Sequence, residues 1–419
     1  MKKVFTLLLT ILIVSNSMAV SFAETDKEPI LAAEAAVLID TSTGEVLYNK
    51  NMDRKMYPAS ITKIMTALLV LENLDLSSIV TIDKETSLTE GSRIHLSEGE
   101  KVTVEQLLYA LLLKSANDAA VALAKEVAGS APEFAKMMNA RAEELGAKNT
   151  NFVTPNGLHD DNHYTTAYDL AMIAKAAMKN SEFRKAVTTL KYTIPKTNKN
   201  NARELLNPNK LLYGKSEVPV NGVLKTSKYE GSTGIKTGYT SEAGRCLVAG
   251  AKRGNVELIS VVLKSTDLGS FGDSIALLDY GFENYKSISA IKKGDYLGKI
   301  KVIRGSVRKV DIVAAKSSYL TIPIEKAEPT VNTKVVIDKK IQAPVSKGHK
   351  VGKVEIYRGN ILVDEVDAVT SEKVDKGGLL SAIGISDSVS YILKIFSLIV
   401  IALLTILTFR RKKIKRKKY

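Results

Sequence analysis

The chain has 419 residues, 45% of them apolar and 25% charged, which fits two or three globular domains with a sizeable core. Its formal net charge of +15 is concentrated at the ends: eight basic residues fall in the last ten, RRKKIKRKKY, and Lys2 and Lys3 open the chain, leaving +5 of alternating sign between them. No basic stripe interleaved with aromatics is present, which argues against a nucleic-acid partner, and a single cysteine, Cys246, excludes an internal disulfide.

Residues 1–23 have a charged start, an apolar run from Val4 to Val14, and Ser21 and Ala23 before a cleavage point. They read as a secretory signal peptide with Glu24 as the first mature residue. Ala35–Asp40 and Glu45–Lys50 flank TSTG as a β-hairpin. Pro58 opens a helix that is apolar nearly all round (Ile61, Ile64, Met65, Leu68, Leu69), a pattern that belongs in a core. Thr103 and Gln106 form a capping box for a helix over 104–113. KSAND then interrupts, and a second helix is expected from about Ala119 to Val127, with Asp118 available as its cap. Ser130 caps a helix ending near Gly146, and Thr166 starts another. Residues 190–235 are polar and turn-rich and read as a long connection with short strands. Arg245–Ala251 and Val256–Leu263 flank KRGN as a hairpin, and DSIALLDYGFENY reads as a closing helix. Helices framed by hairpins predict an α+β domain over 24–286 whose terminal strands share one sheet.

After Ser287 the texture changes to short alternating runs such as YLGKIKVI, KVDIVAA and KVEIYRG, separated by Gly, Pro and Lys. This predicts a small all-β domain over 287–375, followed by a linker, 376–390. Tyr391–Phe409 is apolar except for Lys394 and a few hydroxyls, long enough to cross a hydrocarbon layer of about 30 Å as a transmembrane helix. The basic tail 410–419 should hold that end in the cytoplasm, so the bulk of the chain is expected outside the cell membrane on a single-pass anchor.

Ser60 and Lys63 stand at i and i+3, on one face of the helix that Pro58 opens. A serine hydroxyl needs a neighbouring base to act as a nucleophile, and a lysine in apolar surroundings can be that base, because burial disfavours its charged form. Near a helix start, backbone N–H groups also stand ready for a developing oxyanion. Ser-x-x-Lys recurs at Ser289 and Ser306, but both lie in alternating, charged text; a snorkelling lysine at a helix edge is the bland reading of Lys63 itself. Ser115-Ala116-Asn117 lies in the break between two apolar helices, where a hydroxyl can relay a proton and a carboxamide can hold a substrate amide. Lys236-Thr237-Gly238 precedes the second hairpin; it offers charge and a hydroxyl to a carboxylate, and a glycine past which another backbone can come close.

These three motifs occur in this order at separations of 55 and 121 residues, within YPASITKIMTALL, LLYALLLKSANDAAVALA, FVTPNGLHDDNHYTTAYDLA and GSTGIKTGYTSEAGRCLVAGAKRG. Together they resemble the penicillin-recognising serine enzymes, and the flanking text is similar to the D-alanyl-D-alanine carboxypeptidases of the low-molecular-mass penicillin-binding proteins. The resemblance covers about residues 30–285, and less specifically 290–375. It implies a catalytic domain of the β-lactamase/transpeptidase-like type, acting on peptidoglycan stem peptides and acylated by β-lactams, with no metal or cofactor. By the resemblance Ser60 is the nucleophile, Lys63 its base and Ser115 the proton relay. Asn117 orients the peptide, Lys236 and Thr237 bind its terminal carboxylate, Gly238 lies between, and backbone N–H groups of Ser60 and Tyr239 form the oxyanion hole. Many members carry an arginine before the last helix; here LKSTDLGSFGDS offers only Lys264.

Other readings compete. A β-lactamase of the same superfamily would need a carboxylate poised for deacylation, and no Glu-x-x-Leu-Asn-type segment follows Asn117. A non-catalytic wall-binding protein is the reading from a different class. His159, Asp161 and His163 suggest a metal but make no complete ligand set, and a polar loop accounts for them. Cys246, in an apolar strand, reads as a core residue.

Overall fold

A computed structural model of the chain describes residues 28–325, 330–338 and 340–415. The segment read as a signal peptide and the last four residues of the basic tail lie outside the described residues. The chain divides into two compact units. One holds residues up to Leu38, Tyr48–Ala251 and Ser260–Asn284; the other holds Ile39–Leu47, Lys252–Ile259 and the chain from Tyr285 onward.

One sheet has five strands: β1 (Ala35–Asp40), β2 (Val46–Lys50), β3 (Ser232–Thr240), β4 (Gly244–Arg253) and β5 (Val256–Ser265). Their spatial order is β2-β1-β5-β4-β3, so the strands from the two ends of the domain share one sheet, as the sequence predicts. β1 is buried along its whole length, which explains its unbroken apolar run AAVLI. β3 is an edge strand, antiparallel to β4, with Gly238 opposite Cys246, Thr237 opposite Leu247 and Lys236 opposite Val248.

The helical part is built around α1 (Lys63–Asn73) and α2 (Val104–Leu113), both apolar on nearly every face and both buried. They pack on each other and on α3 (Asn117–Ala128), with α1 also against α4 (Ala131–Glu144) and α5 (Ala167–Ala177). The capping signals hold in detail. Thr103 and Gln106 make both bonds of the capping box, and Ser130 and Thr166 accept from Glu133 N and Asp169 N.

Two local readings need correction. The turn after Pro58 is 3-10 over Ala59–Thr62, and the α-helix begins only at Lys63, so Ser60 lies in the tight turn ahead of α1. α3 begins at Asn117 rather than near Ala119, and its N-cap is Ala116. Asp118 turns instead to the loop before α2, accepting from Ile94 N at 3.2 Å and Leu96 N at 3.0 Å, so a carboxylate that looked like a cap ties down a neighbouring segment.

In the second unit Tyr285–Ile291 pairs with Ser318–Pro323, and six further strands form one sheet in the order Val331–Ile337, Lys350–Arg358, Ile361–Thr370, Lys309–Ala314, Tyr296–Ile303, Ile341–Gln342. Alternating burial along Lys309–Ala314 puts Val310 and Ile312 into a core with Ile300, Val302 and Val351. The segment read as a linker is not free. Leu379–Ile383 is a 3-10 turn, Gly377 N donates to Arg304 O at 2.9 Å, and Gly378 N donates to Asp387 Oδ1 at 2.8 Å. After α6 (Ser181–Thr188) and α7 (Gly269–Asn284) in chain order, Asp387 opens the long helix α8 (Asp387–Lys415), and its own N–H donates to Ser306 O at 3.0 Å. Within it Asp387–Arg410 is long and apolar enough to cross a membrane.

Candidate active site

Ser60 is set by an unusual turn. Ala59, just before it, has φ +48°, a left-handed conformation that costs a non-glycine residue about 1–3 kcal/mol unless its surroundings enforce it. Two glycines do so. A Cβ on Gly157 would lie 1.9 Å from Ala59 O, and one on Gly238 would lie 3.1 Å from Pro58 O and 3.2 Å from Ser60 N. The glycine expected to admit another backbone thus admits the turn that carries Ser60.

Lys63 is 0% exposed, and its Nζ has three neighbours: Ser60 Oγ at 2.9 Å, Asn117 Oδ1 at 2.8 Å and Asn156 O at 2.6 Å. The amide oxygens can only accept. Asn117 is oriented by its Nδ2, which donates to Glu90 O at 2.8 Å. A neutral amine has two hydrogens and one lone pair; with both hydrogens given to the amide oxygens, the lone pair faces the Ser60 hydroxyl. Burial pulls the Lys63 amine well below its ordinary value, the nearby charge of Lys236 pulls it further, and Asp118 opposes them. Among the described residues no carboxylate contacts Lys63 Nζ, so a charged form would be buried without a directly paired counter-ion.

Ser115 occupies the break between α2 and α3 with φ +58°, which turns its hydroxyl toward β3. Its Oγ accepts from Lys236 Nζ at 3.1 Å, and the same ammonium donates to Thr237 O at 2.9 Å. Lys236 is 1% exposed, and burial pushes its pKa down to about 7. Thr237 is partly buried, and Tyr239 is exposed at the far end of the strand. Two clusters therefore form, Ser60–Lys63–Asn117 and Ser115–Lys236–Thr237. They are joined by the short Ser115-Ala116-Asn117 segment and by Gly238 against the Ser60 turn.

Several contributors carry no motif of their own. Asn156 acts through its backbone carbonyl, and PNG reads in sequence only as a turn. His163 is buried beside the site. Its Nδ1 accepts from Val153 N at 3.0 Å and Thr154 N at 3.2 Å, which places the hydrogen on Nε2, 2.9 Å from Thr62 Oγ1; that hydroxyl donates to Ala59 O at 2.8 Å. Burial pushes His163 down to about 4, so it stays neutral and braces the turn that carries Ser60. Both ring nitrogens being used, it is not available as a ligand; His159 packs edge-on to Tyr57. Arg245 stacks on Tyr239, 4.1 Å from the ring centroid, and bonds Asp267, while Lys264 is paired with Glu34 at 2.9 Å. Cys246 is buried in β4, and burial pushes its thiol up to about 11, as befits a core residue.

The chain has relatives among known proteins. Residues 22–267 match a family model described as D-alanyl-D-alanine carboxypeptidase, and residues 285–376 one described as penicillin-binding protein 5, C-terminal domain. The D-alanyl-D-alanine carboxypeptidase DacF of Bacillus subtilis is 36% identical over 357 residues, 83% of this chain and 87% of its own length. DacC of Escherichia coli, also a D-alanyl-D-alanine carboxypeptidase, is 31% identical over 372 residues, 86% of this chain and 88% of its own. The solved structure of penicillin binding protein 5 from Haemophilus influenzae aligns with a TM-score of 0.60 at 30% identity, covering 83% of this chain and 99% of that one.

Proposed function

The chain belongs to the D-alanyl-D-alanine carboxypeptidase family of serine peptidases, and on that premise we propose that it removes the terminal D-alanine from peptidoglycan stem pentapeptides through an acyl-enzyme on Ser60. Lys63 takes the proton from Ser60 Oγ as that oxygen attacks the carbonyl between the two D-alanines. The resulting oxyanion lies against the backbone N–H groups of Ser60 and Tyr239. Ser115 relays the proton to the departing nitrogen as the C–N bond breaks, leaving an ester on Ser60 and a free D-alanine. Water then attacks the ester, Lys63 accepts its proton, and the hydroxyl of Ser60 is restored.

Asn117 holds the substrate amide, and Lys236 with Thr237 holds the terminal carboxylate. In the free enzyme burial weakens the Lys236 charge; a bound carboxylate restores it, so binding and charging are coupled. The single observation behind this reading is the buried, carboxylate-free Lys63 amine at 2.9 Å from Ser60 Oγ.

A β-lactam presents a carbonyl and a carboxylate in the same relation, the carbonyl now in a strained ring, and acylates Ser60 in the same way. Its departure is slow, because the site holds no carboxylate aimed at the ester among the contacts of Ser60 and Lys63. The helix Asp387–Arg410 spans the cell membrane with the basic tail inside and the catalytic unit outside.

The test has two measurements on the full chain in detergent. Mass spectrometry after β-lactam treatment should find one adduct, on the peptide containing Ser60. A pentapeptide ending in D-Ala-D-Ala should lose one D-alanine, and Ser60→Ala should lose both behaviours. An adduct elsewhere, or D-alanine release by Ser60→Ala, refutes the proposal. Rapid turnover of the β-lactam without D-alanine release would favour a β-lactamase.

A further inference from the structure

Beside the site lies a cavity of about 300 Å³ that contains none of the residues named in the reaction. Its lining includes Tyr57, three residues before Ser60, and Glu242 and Ala243, which follow Tyr239 at the turn from β3 into β4. Position along β3 gives its relation to a bound peptide. The carboxylate partners are Lys236 and Thr237, the oxyanion partner is Tyr239, and Glu242 comes next. A peptide whose C-terminus sits at 236–237 and whose scissile carbonyl sits at 239 runs antiparallel to β3, with its earlier residues at 242–243. Being an edge strand, β3 has the free backbone groups to pair with it. The cavity is thus on the acyl side of the scissile bond.

Its lining carries both signs of charge. Arg54 and Lys264 are each spent on Glu34, at 3.0 and 2.9 Å. Lys55 has no ion pair among the described residues; its ammonium lies 4.3 Å from the centroid of the Tyr164 ring, where a carboxylate can still reach it. The same lining holds the carboxylates of Glu242 and of Asp161, the latter 90% exposed and 3.4 Å from His159 Nε2. A ligand group of one sign would be drawn to some of these charges and repelled by the rest. One that carries an ammonium and a carboxylate on the same carbon satisfies both.

We propose that this cavity is the subsite for the side chain of the residue preceding the two terminal D-alanines, and that it selects a side chain ending in an amino-acid group over one ending in an amine alone. Lys55 takes the carboxylate, and Asp161 and Glu242 take the ammonium. This rests on the carboxypeptidase reading above.

The test uses the full chain in detergent and four synthetic peptides ending in D-Ala-D-Ala. The preceding side chain ends in amine plus carboxylate, amine alone, carboxylate alone, or methyl. D-alanine release should give the first a kcat/KM about tenfold above each of the others. Lys55→Met should erase its lead over the amine-only peptide, and Glu242→Gln its lead over the carboxylate-only peptide. Both residues are exposed, and turnover of the methyl peptide reports that the variants are folded. Equal kcat/KM across all four overturns the subsite and leaves the carboxypeptidase reading standing, as does a preference that survives both substitutions. No D-alanine from any peptide overturns the two together.

Discussion

In the proposed mechanism Lys63 is the residue on which the chemistry turns, and its surroundings make two expectations quantitative. Lys63→Ala removes the proton acceptor and leaves Asn117 Oδ1 and Asn156 O without a donor. Acylation by a fluorescent penicillin should slow by at least about 10²–10⁴-fold, with a stability loss of about 1–3 kcal/mol from the unpaired oxygens and an unchanged circular dichroism spectrum. Normal labelling of this variant would remove Lys63 from the mechanism. The second expectation is a bell-shaped dependence of kcat/KM on pH. Activity rises with pH as Lys63 loses its proton, at a value well below that of a free lysine. It falls again as Lys236, at about 7 in the free enzyme, loses the charge that receives the substrate carboxylate. In kcat the falling limb should shift to higher pH, because a bound carboxylate favours charged Lys236. Lys236→Arg, which stays charged throughout, should abolish the falling limb of kcat/KM. Persistence of that limb in Lys236→Arg would assign it to another group.

At the scale of elements, the site depends on a loop that braces a turn. Gly157, with φ +78°, lies against Ala59 O, and a Cβ there would meet that oxygen at 1.9 Å. Gly157→Ala therefore has to push the 3-10 turn aside. β-Lactam acylation should fall by at least about tenfold, with about 1–3 kcal/mol lost in thermal unfolding from strain alone. His163 ties the same loop to Thr62, and it makes the brace sensitive to acid. Its folded-state pKa of about 4 lies below the ordinary 6.5, so the unfolded chain binds the proton first. The stabilisation is complete above pH 6.5 and is lost as pH falls toward 4, on the order of 3 kcal/mol in all. His163→Gln should flatten the fall of unfolding temperature between pH 6.5 and 4; an unchanged slope would place the acid sensitivity elsewhere. These elements also mark where sequence reasoning works. Ser60 and Lys63 were legible because i, i+3 spacing is local, and the Thr103–Gln106 box because both partners lie within one turn. Asn156 and Gly157 were not, since a carbonyl oxygen and an absent Cβ matter only after the chain has folded back by about ninety residues. The start of α3 was misplaced because Ala116 carries no capping group, while the capping-type Asp118 beside it serves the 94–96 segment.

At the scale of the molecule, composition marked the change of architecture near 285–290 but not how the last segment is held. KGGLLSAIGISDSVS looks like a tether, because Gly and Ser dominate it. Its backbone instead bonds to Arg304 and Ser306, and Asp387 closes the end by accepting from Gly378 while it opens α8. The apolar helix therefore leaves the β-rich unit through an ordered joint, not a loose chain. Such a joint is a set of solvent-accessible hydrogen bonds, each worth about 0.5–1.5 kcal/mol, so it should yield before the cores on either side of it. Asp387→Ala removes one of those bonds and the helix N-terminal carboxylate together. Limited proteolysis of the full chain in vesicles should then cut within 376–390 at a rate several-fold above wild type, while β-lactam labelling of Ser60 is unaffected. The apolar span itself, free of any carboxylate after Asp387, should hold the chain in the membrane through alkaline carbonate extraction, whereas a chain ending at Asp375 should be released into solution. Release of the full chain by carbonate would show that α8 lies on the bilayer surface instead of crossing it.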